Sequence, residues 1–215
     1  MKFFNMSITV IIILILFGCN NEPEKDSNVN SVEEPTLIEE HEFGLGKQGE
    51  FYRFNKVEDI GTYSTGPITI EIEMMETIKG SMEPEVSFYD KKEYKDMEFI
   101  GVQMKFDLNE EVDLDKLSFS NEENIHLITD TGESIDQADQ SLSSIIDIAT
   151  LKNAQIQEAD AEPHLRMFIF QLEESTAEEI EEATLIIEAP IDNEGNPVGE
   201  DLEIEIYVKE KNFLS

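Results

Sequence analysis

The chain has one cysteine, Cys19, and no tryptophan. A lone cysteine excludes an internal disulfide and any multi-cysteine zinc site. Positive charge is scarce as well. Lys and Arg number 15 against 49 Asp and Glu, for a formal net charge of −34. Phosphate binding needs Lys and Arg to replace counterions, so this balance argues against a nucleic-acid partner. There is no G-x-S-x-G elbow, no Walker A loop and no G-x-G-x-x-G fingerprint, so no cofactor is expected. No repeat with a period of about 20–50 residues is visible. What remains is 215 residues, 40% of them apolar. That is enough for one globular domain with appendages.

The N-terminus carries the clearest signal. Lys2 gives a short positive region, and Met6 to Phe17 is apolar apart from Ser7 and Thr9. As a helix this run spans about 18 Å, against a hydrocarbon core of about 30 Å. It is too short for a comfortable transmembrane anchor and fits the apolar region of an export signal. An ordinary secretory signal would end in an A-x-A site, and none stands near residues 17–25. Instead the run ends in Leu16-Phe17-Gly18-Cys19.

These four residues resemble the lipobox of bacterial lipoproteins: an aliphatic residue at −3, a small one at −1, then cysteine. Phe17 at −2 departs from the smaller residue usual there. The resemblance implies that the Cys19 sulfur receives a diacylglyceryl group and that a signal peptidase cuts before it. Two acyl chains give durable anchoring where one gives marginal binding. The expected placement is the cell membrane, lipid-anchored, on its extracytoplasmic face. Residues 1–18 then form the signal peptide. Losing them removes Lys2 and no acid, so the charge moves from −34 to −35. Residues 19–45 are rich in Asn, Glu, Ser and Pro, cannot offset their own ordering entropy, and read as a lipidated flexible acidic linker. Within it, Thr36-Leu37-Ile38 is the one stretch apolar enough to dock back on the domain.

Residues 46–215 read as a β-rich domain. Ile100, Val102, Met104, Phe106 and Leu108 alternate with Gly101, Gln103, Lys105 and Asp107. Ile68, Ile70, Ile72 and Met74 alternate in the same way, as do Leu202, Ile204, Ile206 and Val208. Period two with one polar face predicts antiparallel strands that are half wet. Ile125–Thr129, Met167–Leu172 and Thr184–Ile187 are apolar on both sides and predict central strands. Leu185–Ala189 and Leu202–Val208 flank a long turn-rich segment and predict a terminal hairpin. Ser175 and Glu178 have capping-box spacing. Residues 136–157 read either as a short helix or as an irregular crossover. The fold class expected is mainly β: an antiparallel β-sandwich with one or two short helices, preceded by a disordered tether.

The order of these elements, from Thr65-Gly66-Pro67 through Leu127-Ile128-Thr129-Asp130-Thr131-Gly132 and Phe168-Ile169-Phe170 to the closing hairpin, resembles a known group. It is similar to the immunoglobulin-like (telokin-like) domains of small Gram-positive lipoproteins of unknown function. The resemblance covers roughly residues 62–210 and lies in pattern and order. It implies an extracytoplasmic sandwich with no assigned reaction, and so it transfers no catalytic residue.

Chemistry-bearing residues are few. His41, His126 and His164 show no metal-ligand spacing, and no catalytic residue is assigned. Asp192 to Glu203 imitates an EF-hand at positions 1, 3, 5 and 12, but Pro197 stands where that loop requires glycine. The loops Asp107–Asp115 and Asp130–Asp139 offer oxygen ligands for calcium without a defined site. An acid–base hydrolase would need one carboxyl with a raised pKa, which no pattern reveals. Phe51-Tyr52-Arg53-Phe54 and Phe88-Tyr89 are aromatic clusters that serve either a core or a contact surface. The leading expectation is a non-enzymatic binding module anchored through Cys19, with an envelope protein or wall component as partner. A calcium-binding or ion-responsive module stands second, and an acid-pair hydrolase third.

Overall fold

Alternation of apolar residues makes sheets with one greasy side, and two such sides must meet. The computed structural model describes residues 34–38, 49–82, 95–108, 113–151 and 164–209. Its strands are β1 (Thr36–Leu37), β2 (Gly49–Thr65), β3 (Ile68–Met82), β4 (Met97–Leu108), β5 (Leu117–Ser118), β6 (Ile125–Thr129), β7 (Ser134–Ile135), β8 (His164–Gln171), β9 (Glu182–Ile187), β10 (Ile191–Asp192) and β11 (Leu202–Tyr207). One helix of four residues, α1, spans Asn121–Asn124. A further helical stretch covers residues 148–151. The protein is mainly β.

Two antiparallel sheets form a sandwich. The larger runs β1-β2-β3-β4-β8 and the smaller β11-β9-β6-β7, while β10 and β5 make a separate two-stranded patch. Between the sheets lie Ile68, Ile70, Ile72, Met75, Ile100, Val102, Met104 and Phe106 from one side. Ile125, Leu127, Leu185, Ile187, Ile204 and Ile206 come from the other. Fully burying such side chains contributes about 1.5–3 kcal/mol each. The predicted faces of β4 and β11 are the faces found. The terminal hairpin is also present, with Leu202 opposite Ile187 and Tyr207 opposite Glu182.

Four local expectations differ from the structure. In β3 the register shifts between Ile72 and Met74. This bulge turns Met74 out of the alternation and sends Met75 into the main core instead. Met167–Leu172 is not central: β8 ends its sheet. Its second apolar side is explained by a smaller cluster on the sheet's far side, where Phe51, Ile78, Met97, Phe99 and Ile169 pack with Ile38 and Leu142. The far side of the large sheet is therefore only partly wet. The capping interaction of the 173–181 corner belongs to Thr176 and Glu179, one residue along from Ser175 and Glu178. The Thr176 N–H and Oγ1 donate to Glu179 Oε2 at 3.1 and 2.9 Å, closing a turn without a helix.

Residues 136–147 form a crossover whose Asp139 and Ser144 N–H groups donate to the carbonyls of Ile169 and Met167, at 2.7 and 2.8 Å. The docking of Thr36–Ile38 is realised. Thr36 lies opposite Arg53, and Ile38 is 3% exposed in the smaller cluster. Order thus reaches into the segment that composition assigns to the linker.

Strand β2 has no counterpart in the sequence reading. Its apolar residues Phe51, Phe54, Val57, Ile60 and Tyr63 recur every third position, and a strand should repeat every second. Register shifts at Arg53/Asn55 and Glu58/Gly61 interrupt its alternation. Phe51, before the first shift, packs in the smaller cluster on the sheet's far side. Phe54, Val57, Ile60 and Tyr63 all pack against the main core. At the β2–β3 turn, Gly66 has φ +53°, and a Cβ there would lie 1.9 Å from the Val198 carbonyl oxygen. Only glycine fits that approach.

Candidate interaction surface

Cys19, Leu16, Phe17 and Gly18 lie outside the described residues, as do His41 and Phe88-Tyr89. Of the aromatic cluster Phe51–Phe54, Phe51 is buried in the smaller core and Phe54 packs on the larger. Tyr52 is exposed and donates to Glu50. Arg53 Nε meets the buried Glu76 at 2.6 Å. This stretch is therefore chiefly structural. A buried carboxylate needs such a partner, because desolvation alone would disfavour its charge.

The histidines do not converge. His126 sits on β6 in the small sheet; its Nδ1 lies 2.6 Å from the Asp136 carbonyl and its Nε2 3.5 Å from Glu188. His164 opens β8 in the large sheet, opposite Phe106.

A shallow depression of 720 Å³ lies between residues 132–141 and the end of β8. Its walls include Glu133, Asp136, Gln137, Gln140, Gln171 and Glu173, and His126 does not line it. Glu133 anchors this wall. Its carboxylate accepts the N–H groups of Glu173, Glu174 and Ser175 at 2.6, 3.2 and 2.9 Å. Burial works to raise its pKa, but these donors outweigh burial and hold it below the ordinary value near 4.5. A carboxylate kept ionised and encircled by donors cannot serve as a general acid. Two other carboxyls move the same way: Glu58 is lowered by Lys56, and Asp192 by the backbone and side chain of Asn196.

The acidic loops use their oxygens internally. Asp192, at position 1 of the EF-hand-like segment, accepts the N–H groups of Glu194 and Asn196 at 2.8 Å. Asp139 accepts those of Ser141 and Leu142. Asp201 accepts that of Ala189. Among the described residues, no three His, Cys, Asp or Glu side chains converge to hold a metal ion. Residues 109–112 of the loop Asp107–Asp115 lie outside the described residues. Among the described residues, no helix is long and apolar enough to cross a membrane.

The small sheet presents regular cross-strand rows. Cross-strand rows place Glu203 by Ile186 and His126, Glu205 by Thr184 and Ile128, and Tyr207 by Glu182. Ile128 and Tyr207 are 38% and 39% exposed. The four strands of this sheet contain no Lys or Arg, whereas the large sheet carries Arg53, Lys56, Lys79, Lys105 and Arg166. Fold and charge were legible in the sequence, but this asymmetry between the layers was not. It appears only once strands are sorted into sheets. No family model, curated protein or solved structure matches the chain.

Proposed function

We propose that this protein is an extracytoplasmic lipoprotein, held to the cell membrane by lipid on Cys19, whose β-sandwich is a non-enzymatic binding module for an envelope protein or wall component. The observation that carries the reading is the position of the only cysteine. It stands directly behind Leu16-Phe17-Gly18, where an apolar run of export-signal length ends. Two acyl chains suit an acidic body, because the anionic leaflet repels it and protein charge gives no hold on the surface. The immunoglobulin-like pattern of residues 62–210 agrees with this placement.

Binding is favoured over catalysis by the site chemistry. The depression is open and polar, and its buried carboxylate, Glu133, is committed to three backbone donors. An acid–base site needs one carboxyl raised toward neutrality, and the carboxylate lining this depression, Glu133, is lowered. Growing bacteria that express the protein with an alkyne-tagged fatty acid tests the reading. The wild-type chain incorporates the tag and Cys19→Ser does not. An unlabelled wild type, or equal labelling of both, overturns it.

A further inference from the structure

The walls of the depression beside residues 132–141 are held in place by the protein itself. The Asp139 carboxylate accepts the N–H groups of Ser141 and Leu142 at 2.9 and 3.1 Å, and its own N–H donates to the Ile169 carbonyl at 2.7 Å. Glu133 fixes the facing corner through the N–H groups of Glu173, Glu174 and Ser175. Ala138 is buried, and Ile135 packs on the main core. A site whose walls are already ordered gives up less freedom when a ligand enters. Its 720 Å³ falls within the range of small-molecule sites, about 300–1,000 Å³.

Its polar lining is of two main kinds. Gln137, Gln140 and Gln171 bring amides, each with two N–H donors and a carbonyl acceptor. Asp136 and Glu173 bring carboxylates, which only accept. Asp136, Gln137, Gln140 and Glu173 are exposed, and among the described residues no hydrogen bond or ion pair engages their side chains. Their bonding capacity faces outward.

That mixture discriminates between ligand chemistries. Among the described residues that line the depression, none is Lys, Arg or aromatic. A phosphate or carboxylate would meet like charge with no cation to receive it. An ammonium would satisfy the carboxylates and leave the amide N–H donors unused. A hydroxyl both donates and accepts, so a ligand dense in hydroxyls gives to Asp136 and Glu173 and takes from the glutamines. Ile135 adds an apolar spot for the C–H side of a sugar ring. With no ring to stack on, the hold comes from hydrogen bonds of modest net strength and is weak.

We infer that this depression binds a short, uncharged glycan of the wall. The inference rests on the binding-module reading, and it chooses the wall component over the envelope protein as ligand.

The test follows backbone amides by NMR in the full mature lipoprotein, in a detergent without sugar headgroups and at physiological salt. The probes are chitotriose, an uncharged N-acetylglucosamine trimer, and spermidine, a cation. Chitotriose should shift the amides of residues 132–141 and 171–174 saturably, with millimolar affinity. Gln137→Ala combined with Gln140→Ala should weaken it about tenfold, the scale of losing one or two hydrogen bonds. Unchanged melting checks the folding of that variant, and Glu173→Lys on the exposed rim should weaken binding independently. Glu203→Gln combined with Glu205→Gln, which removes charge from the small sheet, should leave it unchanged. The absence of a saturable shift, shifts centred elsewhere, full affinity in both depression variants, or tighter binding of spermidine to the same amides overturns the inference. The intact mass of the same sample separates the two claims. Lipid on Cys19 with a silent depression removes the glycan site alone, and bare Cys19 with a responsive depression removes the anchor alone.

Discussion

Glu133 shows how this chain uses its acidity at the scale of a residue. Its side chain leaves the β6–β7 turn and binds three successive N–H groups of the β8–β9 corner. Glu98 does similar work there, accepting the Ala177 N–H at 2.6 Å while pairing with Lys79 at 2.8 Å. Asp130 takes the Glu181 N–H at 3.2 Å. The corner is itself rich in Glu, so its backbone donors are met by carboxylates that come from elsewhere. Hydrogen bonds to charged acceptors contribute about 1.5–3 kcal/mol each, so Glu133→Gln should cost roughly 1–3 kcal/mol in urea unfolding. The pH dependence follows from the lowered pKa. The folded state holds Glu133 ionised more firmly than the unfolded chain does. Its stabilisation is complete above the ordinary value near 4.5 and is lost as pH falls through the lower folded value. The Glu133→Gln protein should therefore show a shallower loss of stability as pH falls below the ordinary value near 4.5. A variant with the same acid limb as wild type would show that the three bonds contribute little.

At the scale of an element, the strands that were legible in the sequence are those with unbroken period two. β4 and β11 have it, and their inward residues are the ones expected. β2 was hidden because two register shifts break its alternation and its apolar residues serve both sides of the sheet, Phe51 one cluster and Phe54, Val57, Ile60 and Tyr63 the other. In β3 a bulge after Ile72 exchanges Met74 for Met75. Periodicity counts residues, and a bulge adds one that pairs with nothing. Helix α1 was also beyond reach. Asn121-Glu122-Glu123-Asn124 has no apolar stripe, and its two asparagine side chains hold it by one distant and one local bond. Asn121 Oδ1 accepts the Ile146 N–H, and Asn124 Oδ1 accepts that of Ser120.

At the scale of the molecule, charge and the proposed lipid would act in opposite directions. A net charge of −34 repels the body from anionic lipid and wall polymer, and the lipid on Cys19 would hold it there regardless. Within the described residues most of the cations lie on the large sheet, and the strands of the small sheet carry no Lys or Arg. The lipobox-like run Leu16-Phe17-Gly18-Cys19 can be read because such a motif needs only sequence order and one residue type. The decisive measurement is the intact mass of the protein extracted from membranes of a bacterium that processes lipoproteins. The account predicts a chain beginning at Cys19 with a diacylglyceryl adduct. A chain that retains residues 1–18, or one cut elsewhere with an unmodified Cys19, would contradict it.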